Sequence, residues 1–432
     1  MVRFRSIALA ALAAMAVSLA FAGAAAGAGS QGSWVNRALA LQYRLAGDVE
    51  MRNAPWIGTH NSFNSVAEMG VTTATQDPNQ QLTLVQQLEL NVRALELDLH
   101  WIVSPSTGQL APVVCHAFPS HVPCSTEKTL GPVLEEIGGW LRGPPSSASG
   151  GGLRKPPNSE TVLFLYLEDH LDNQAGYDTA AAIIQEKLGD LVYAPSTPGS
   201  CQELPLKLTR NEILAAGKHV IVVGNSPCGV GTAWPSLVFN WQAHQETQLT
   251  AFSDFPVCGT NFTRAQYEST QIRYYDDERP SQGASPKITP EIAAEMSRCG
   301  VDLLGLDQLA PSDPRLEALV WSWAPGQPGK GRCAVQSAHP GTLSTQWRTA
   351  SCAAARRPAC RQGATWLLGA KPVAEKGGGA ACKARHARFA VPRTGYEAQL
   401  LRQKMRAARV GQVWLGYVKR AGGWTALDKR GG

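Results

Sequence analysis

The sequence predicts an α/β protein: a TIM-like (β/α)8 barrel followed by a small, basic, Cys-containing C-terminal domain or extension. Three observations predict it. Roughly between residues 50 and 325, about eight strand-like apolar runs alternate with stretches of helical spacing, as in parallel βαβ units. Polar and titratable side chains follow several early runs, as expected at the C-terminal rim of such a barrel. After Gly326 the alternation stops, and short Cys spacings with many Arg and Gly residues begin.

The barrel region supplies its expected elements in order. Strands are predicted at residues 54–58, 92–101, 113–115, 160–167, 219–224 and 301–309, with weaker candidates at 237–241 and 271–275 and a last strand at 319–323. Helices are predicted at residues 80–90, 130–141, 180–188 and 290–298, and residues 31–52 form an amphipathic lead-in. The run at 160–167 is almost continuously apolar, which is typical of a parallel strand covered on both faces. Residues 143–157, rich in Gly, Pro and Ser, indicate a flexible excursion.

The N-terminal segment has the pattern of a secretory signal. Arg3 and Arg5 precede an apolar run, and small residues continue to Ala28, so cleavage is expected after Ala26 or Ala28. A membrane anchor is the weaker alternative, because the run is short and rich in Ala. Richness in Ala, Gly and Arg favours a bacterial source. We therefore expect a signal peptide over 1–28, a barrel over 29–326, a basic domain over 327–432, and a secreted, extracellular protein.

Ten cysteines in an exported chain predict disulfides. Neighbours in sequence suggest the pairs Cys115–Cys124, Cys201–Cys228, Cys258–Cys299, Cys333–Cys352 and Cys360–Cys382. A zinc site built on cysteines is the weaker alternative, because no paired C-x-x-C spacing occurs.

Charge is divided unequally along the chain. Residues 330–432 carry 20 Lys or Arg against three acids, whereas the preceding residues carry 20 Lys or Arg against 31 acids. A basic tail favours contact with an anionic membrane or glycan surface, with no specific nucleic acid expected. A merely solvated basic face is the alternative. No feature of the sequence specifies an oligomeric state.

The polar clusters that follow the strands point to phosphodiester chemistry. His60 and His116 can exchange protons near neutral pH. Asn61, Glu96, Asp98 and Glu168 offer hard oxygen ligands that suit Ca²⁺ or Mg²⁺ better than Zn²⁺. A divalent ion beside two histidines suits attack on a phosphate diester. Taken singly, each group has an ordinary structural alternative, such as a core histidine or a solvated E-x-D edge.

Four motifs resemble the X-region of phosphatidylinositol-specific phospholipase C-like phosphodiesterases, in their metal-dependent branch. They are Thr59-His60-Asn61-Ser62-Phe63, Glu96-Leu97-Asp98, Cys115-His116 and Leu167-Glu168-Asp169-His170. The resemblance implies that His60 and His116 are catalytic, with His116 the acid for the leaving group. It also implies that Asn61, Glu96, Asp98 and Glu168 bind the metal, Ca²⁺ by analogy with Mg²⁺ as the alternative, and that Glu96 or Asp98 assists deprotonation of the attacking hydroxyl.

Departures from related families narrow the resemblance. The acidic residues Glu96, Asp98 and Glu168 distinguish this sequence from the metal-free bacterial branch, in which a basic residue takes the place of the metal. His60-Asn61 differs from the His-Arg-Gly opening of glycerophosphodiester phosphodiesterases, and is closer to, but distinct from, the Mg²⁺-dependent phospholipases D of the spider-venom type.

Later strands supply candidates for substrate contacts. Arg273 is predicted to pair with a phosphate, Tyr274 to stack on a ring, and Asp307 either to contact the head group or to serve as a structural strand-end acid. Residues 389–417 resemble the core of C-type-lectin-like or other carbohydrate-binding tails. The expected function is Ca²⁺-dependent hydrolysis of a phosphatidylinositol-type lipid by internal attack. The alternatives are a phospholipase D-like or glycerophosphodiester phosphodiesterase reaction on the same barrel, or non-catalytic surface binding through the basic tail.

Overall fold

A computed structural model describes most of the chain. The described residues are 34–69, 78–116, 128–143, 158–224, 231–241, 243–246, 252–259, 272–277, 287–338 and 345–428. The predicted signal peptide (1–28) and the excursion from residue 144 to 157 lie outside them. Among the described residues, every helix is too short or too polar to cross a membrane.

Eight parallel strands form the barrel sheet, as the sequence predicted. With a hairpin strand, β3, the strands are β1 (Trp56–Thr59), β2 (Ala94–Val103), β3 (Leu110–Val114), β4 (Leu163–His170), β5 (Val220–Gly224), β6 (Phe239–Asn240), β7 (Ala243–Glu246), β8 (Ile272–Asp276) and β9 (Leu303–Leu306). The order across the sheet is β6-β5-β4-β2-β1-β9-β8-β7, and every pair along this path is parallel. Sequence neighbours β6 and β7 therefore sit at the two ends of the path.

Helices follow the strands along the barrel chain. They are α1 (residues 34–45), α2 (Val66–Met69), α3 (Leu84–Glu89), α4 (Leu130–Arg142), α5 (Gln174–Leu188), α6 (Arg210–Ala215), α7 (Pro290–Cys299) and α8 (Pro314–Ala318). Local sequence sets several of their starts: Thr83 and Thr209 begin α3 and α6 with capping boxes, and Pro290 occupies the first turn of α7.

Two strand predictions were wrong. Residues 319–323 form no strand, although Trp323 makes an isolated bridge to Trp347. β7 is a strand that the sequence did not predict, and its four residues lack a long apolar run. The second wrong prediction concerns residues 113–115, which form part of β3: this strand is antiparallel to β2 and is not a member of the parallel barrel. It is the returning arm of a hairpin that extends the C-terminal end of β2.

The C-terminal region forms a second sheet of seven strands. They are β10 (Cys333–Ser337), β11 (Trp347–Ala350), β12 (Arg357–Gln362), β13 (Thr365–Leu368), β14 (Arg388–Phe389), β15 (Gln412–Arg420) and β16 (Gly423–Ala426), with helices α9 (Gly378–Lys383) and α10 (Gly395–Ala407). All pairs are antiparallel except β12 with β15. After Gly326 the sequence shows no alternation of strands and helices, and the structure there is a mainly antiparallel sheet.

The second sheet packs on the barrel through an aromatic core. Trp323 and Trp347 are buried side by side, with ring centroids 5.8 Å apart. Two side chains of α1 make these contacts. The indole N–H of Trp34 donates to the backbone carbonyl of Trp323 over 3.2 Å, and the side-chain oxygen Oε1 of Gln42 accepts from the backbone N–H of Trp321 over 2.9 Å. The lead-in helix therefore ties the end of the barrel chain to the start of the second sheet.

Disulfides join parts of both regions. Cys258–Cys299, Cys333–Cys352 and Cys360–Cys382 are formed, which confirms three predicted pairs. Cys115 and Cys201 are also disulfide-bonded, while their predicted partners, Cys124 and Cys228, lie outside the described residues. Such bonds favour an oxidising compartment.

Candidate active site

The candidate site lies at the C-terminal ends of the parallel strands. His60 follows β1, Glu96 and Asp98 lie on β2, and Glu168 lies near the end of β4. In the sheet register Asp98 stands directly beside Glu168. Successive side chains of a strand point to opposite faces, so Glu96 and Asp98 share one face of β2. Both side chains are buried. The structure therefore brings these four predicted residues to one rim.

The turn after β1 is held by buried hydrogen bonds. The Gln87 amide donates to the carbonyl of Ser62 over 2.7 Å and accepts from the Thr59 hydroxyl over 2.6 Å. The Ser62 hydroxyl accepts from the backbone N–H of Glu96 over 2.9 Å. Asn61 adopts a φ of 42°, a left-handed conformation that Asn tolerates better than most residues. The turn thereby places His60 and Asn61 side by side over the end of β2.

Two carboxylates hold the His60 ring. Its Nδ1 lies 3.1 Å from Asp307 Oδ1, and its Nε2 lies 3.4 Å from Asp276 Oδ2. Burial by itself lowers the pKa of His60, but Asp276, the hydrogen bond to Asp307 and the nearby Glu96 together raise it well above its ordinary value. His60 is therefore held in place and favoured as an imidazolium.

Three carboxylates form a compact oxygen cluster beside His60. One oxygen from each of Glu96, Asp98 and Glu168 lies within 4.8 Å of the others. Burial raises the pKa of Glu96 to about 7, and burial followed by Glu168 raises the pKa of Asp98 well above its usual range. A cluster of this kind is costly to ionise without a cation.

The Asn61 carboxamide lies between Asp98 and His60 and fits there in either of two orientations. The amide group lies 2.9 Å from both oxygens of Asp98 and 3.1 Å from His60 Nε2. With no cation, its NH₂ would face Asp98 and its carbonyl oxygen would accept from His60 Nε2. In the other orientation, the carbonyl oxygen of Asn61 faces the Asp98 carboxylate. The two groups could then both be ligands of one Ca²⁺.

Glu168 closes the cluster on the solvent side. Its Oε1 pairs with His170 Nε2 over 3.0 Å. This hydrogen bond lowers the pKa of Glu168 and raises the pKa of His170. The His170 ring stacks on the buried ring of His100, with centroids 4.7 Å apart. Glu168 is thus favoured as a carboxylate, in contrast to the two more deeply buried acids.

His116 reaches the rim through the β2–β3 hairpin. The backbone N–H of the preceding Cys115 donates to the carbonyl of Asp98 over 3.2 Å, and His116 Nδ1 lies 3.3 Å from the Asn64 amide nitrogen. The ring is exposed. Partial burial, followed by the charge of His60, lowers the pKa of His116. The antiparallel return of β3 therefore brings the second histidine to the same rim as the first.

The three predicted substrate contacts have different placements. Arg273 is buried away from the cluster: its guanidinium donates to the carbonyl of Cys299 over 3.1 Å and pairs with Asp302, which precedes β9. Alternation along β8 turns Arg273 to the opposite face from Tyr274. The Tyr274 hydroxyl donates to Glu96 Oε2 over 3.3 Å from the barrel interior. Arg273 therefore braces the N-terminal end of β9, and the sequence placed it wrongly.

Asp307 is at the site but behind His60. It is fully buried and accepts from the Asn79 amide over 3.3 Å as well as contacting His60. Its backbone carbonyl accepts from Arg315. These contacts fit the structural alternative for Asp307 better than the predicted contact with a head group.

Sequence reasoning missed Asp276 and the amides of Asn64 and Asn79. Asp276 ends β8 and, with Asp277, directly follows the aromatic pair Tyr274-Tyr275, so its place at the end of a predicted strand was the available signal. The Asn64 amide donates to Asn79 over 2.6 Å, which links the neighbourhoods of His116 and Asp307. Neither asparagine directly follows an apolar run in the sequence, so no sequence pattern marked them.

Comparisons with known proteins find relatives over most of the chain. The family model described as the Rv2075c PI-PLC-like domain matches residues 15–313. Uncharacterized protein Rv2075c of Mycobacterium tuberculosis strain ATCC 25618 / H37Rv is 36% identical over 416 residues, which cover 89% of this chain and 80% of the relative. Uncharacterized protein MT2135 of strain CDC 1551 / Oshkosh matches to the same extent.

Two solved structures are similar at low identity. The phosphatidylinositol-specific phospholipase C of Listeria monocytogenes is 14% identical, with a TM-score of 0.41 over 63% of this chain and 95% of its own. A calcium-dependent phosphoinositol-specific phospholipase C of a Pseudomonas species is 9% identical, with a TM-score of 0.35 over 62% of this chain and 95% of its own. Because the family model covers well over half of the residues, the chain belongs to the Rv2075c PI-PLC-like domain family.

Proposed function

We propose that this protein is a secreted, Ca²⁺-dependent phosphoric diester hydrolase that cleaves a phosphatidylinositol-type lipid. The observation that carries the proposal is the convergence of three carboxylate oxygens within 4.8 Å of one another beside His60. A paired imidazolium next to hard oxygen donors suits a substrate with a negative phosphoryl group and a hydroxyl to be activated.

The donor set suits Ca²⁺ by its chemistry. Glu96, Asp98 and Glu168 are all oxygen donors, and the Asn61 carbonyl oxygen can turn toward Asp98 to join them. The positive group that lowers the pKa of all three acids is His60, and His170 also lowers that of Glu168. A bound Ca²⁺ would lower the pKa of the attacking hydroxyl and offset charge on the phosphoryl oxygens. Mg²⁺ is the alternative, since the same donors suit it.

His60 would bind the phosphoryl group as a cation. Asp276 and Asp307 face its two nitrogens at 3.4 and 3.1 Å, so the ring is oriented as well as charged. A phosphoryl oxygen that approaches Nε2 would accept its proton in place of Asp276, which lies 3.4 Å away. Glu96, whose pKa is raised to about 7 by burial, is suited to assist removal of a proton from the attacking hydroxyl.

His116 would pass the proton to the leaving group. It is exposed at the mouth of the site, and its pKa is lowered, so the protonated ring is a readier donor than an ordinary histidine. Internal attack by an inositol hydroxyl would then release diacylglycerol and a cyclic phosphate. The basic C-terminal region would hold the protein near an anionic membrane or glycan surface.

Turnover of phosphatidylinositol vesicles, with Ca²⁺ and with chelator, tests the proposal. We expect diacylglycerol and cyclic inositol phosphate by mass spectrometry, with activity lost in chelator and reduced at least about 100-fold in His60→Ala and His116→Ala. His219→Ala is the matched control, because His219 bonds to the carbonyl of Thr161 outside the site. Release of phosphatidic acid would indicate the phospholipase D reaction instead. Chelator-insensitive turnover would refute the metal assignment.

A further inference from the structure

A cleft of about 260 Å³ lies between the barrel and the second sheet, and we call it the junction cleft. Its barrel side includes Glu50 and Asn53, which precede β1, and Gly300, which precedes β9. The cleft is therefore at the N-terminal ends of the strands, whereas the candidate active site is at their C-terminal ends. Because β1 and β9 are four residues long, about 13 Å of strand separates the two places.

Charged side chains line the junction cleft, and most of them are paired with one another. The buried Arg393 of the C-terminal region pairs with Asp48 of the barrel region over 2.9 Å and with Asp428 over 3.6 Å. Arg361 pairs with Glu397 over 2.8 Å. These pairs connect the two regions and fix the walls of the cleft.

Two charged groups of the cleft keep capacity for a ligand. Asp428 is only 6% exposed, and among the described residues its Oδ1 has no hydrogen-bond partner. A buried carboxylate oxygen without a donor is costly. Arg388 is exposed and, within the described part of the chain, is the one charged lining residue that makes no ion pair. Burial raises the pKa of Asp428, and Arg388 is among the cations whose charge lowers it, so the two groups lie within electrostatic reach.

The start of α10 opens onto the same cleft. Thr394 caps this 13-residue helix by accepting from the backbone N–H of Glu397 over 3.1 Å, and Thr394 and Tyr396 line the cleft. The N-terminal end of a helix carries partial positive charge and favours an anion. Together with Arg388 it favours a carboxylate on the ligand, whereas Asp428 favours an ammonium group.

An apolar pocket of about 60 Å³ adjoins the junction cleft on the side of α1. Asn53, Gly300 and Thr394 line both spaces. The apolar side chains that line the pocket are Leu39, Val301, Leu304, Leu319 and Trp321. Its volume is that of about two waters in the liquid, which suits a short aliphatic group and excludes a long acyl chain.

We propose that the junction cleft binds a free α-amino acid with a short aliphatic side chain, such as valine or leucine. The ammonium group would donate to Asp428 Oδ1, the carboxylate would meet Arg388 and the start of α10, and the side chain would fill the apolar pocket. A neutral sugar would leave both charges uncompensated and the apolar pocket empty. Such a site goes beyond the proposed function and does not depend on it.

Isothermal titration calorimetry of the full chain with L-valine, L-leucine, glycine and myo-inositol tests the site. The variants are Asp428→Asn, which keeps the shape of the side chain, and Arg388→Gln, which changes an exposed residue and should not disturb folding. Arg348→Gln is the matched control, because Arg348 is an exposed arginine on β11 of the same sheet, outside the cleft. Thermal melting checks that each variant is folded.

We expect valine or leucine to bind with a Kd below about 1 mM, and glycine and myo-inositol to bind at least about tenfold more weakly. Asp428→Asn and Arg388→Gln should each weaken binding at least about tenfold, since each loses a charge-assisted hydrogen bond. Arg348→Gln should bind within about twofold of the unaltered protein.

Three results would overturn the proposed site: no binding of valine or leucine at about 10 mM, binding of glycine or myo-inositol as tight as that of leucine, or unchanged affinity in the folded Arg388→Gln variant. The titration contains no phosphatidylinositol and measures no turnover. Failure of the amino-acid site and failure of the proposed function are therefore separate results.

Discussion

Gly305 on β9 is the position where a single methyl group should disturb the site most directly. In the sheet it pairs with Asp276 on one side and Gly58 on the other. A Cβ at residue 305 would lie 2.7 Å from Asp276 Oδ1 and 3.0 Å from the Tyr274 hydroxyl. The substitution Gly305→Ala therefore pushes on the residue that faces His60 and on the residue that bonds to Glu96.

The size of the effect follows from these distances. Ordinary van der Waals contact begins at 3.4 Å, so Asp276 must move by about 0.7 Å. Overpacking of this kind costs about 1–3 kcal/mol of stability. Because misplacement of a positioned group by about 1 Å can cost 100-fold in rate, we expect turnover to fall about tenfold or more.

Gly224→Ala is the matched control. Its Cβ would lie 2.7 Å from Asp169 Oδ2, the same kind of clash at the end of another barrel strand. However, Asp169 bonds to the Tyr177 hydroxyl, outside the cluster. Both variants should lose similar stability in thermal unfolding, and only Gly305→Ala should lose activity on phosphatidylinositol beyond about twofold. Equal activities in the two folded variants would refute the reasoning that Asp276 acts on His60.

Three further predictions concern other parts of the molecule. Asp307→Asn removes a charge that faces His60 and should lower turnover about 100-fold, measured with Ca²⁺ present. Asp98→Asn replaces a buried carboxylate with a neutral amide and should weaken Ca²⁺ binding at least about tenfold, measured by isothermal titration calorimetry. Cys360→Ser with Cys382→Ser opens a loop with a sequence separation of 22 and should cost about 3 kcal/mol in denaturant unfolding.

Matched variants separate these predictions from general damage. Asp313→Asn is the control for Asp307→Asn: the Asp313 carboxylate also contacts Arg315, and this variant should keep normal turnover. Asp169→Asn, next to Glu168 but outside the cluster, should keep normal Ca²⁺ affinity. Turnover within about threefold of normal in Asp307→Asn, or unchanged Ca²⁺ affinity in Asp98→Asn, would contradict the assigned roles. A disulfide variant that loses less than about 1 kcal/mol would indicate that packing alone holds β12 to α9.

The clustering of His60, Glu96, Asp98 and Glu168 was predictable because it depends on local pattern and one general rule. Apolar runs mark parallel strands, and residues at the C-terminal ends of such strands meet at one rim. Alternation within β2 further puts Glu96 and Asp98 on one face. Neither step needs information from distant parts of the chain.

Arg273 shows where that reasoning fails. Its position on β8 was predicted to within a residue, but the face on which it lies depends on the register of β8 beside β9. A shift of one residue exchanges the two faces of a strand. The register is set by pairing with β9 and by the Arg273–Asp302 contact, both of which require the folded sheet.

From the sequence alone came the barrel, the residues that gather at its rim, and three of the disulfides now seen. Only the tertiary structure decided which carboxylates meet His60, since Asp276 and Asp307 lie more than 200 positions away in the chain. It also decided that β3 turns back along β2, which brings His116 to the site and leaves Val103 and Leu110 exposed. The physical reason is that local pattern sets strand and face, whereas contacts between distant segments depend on how the strands pair.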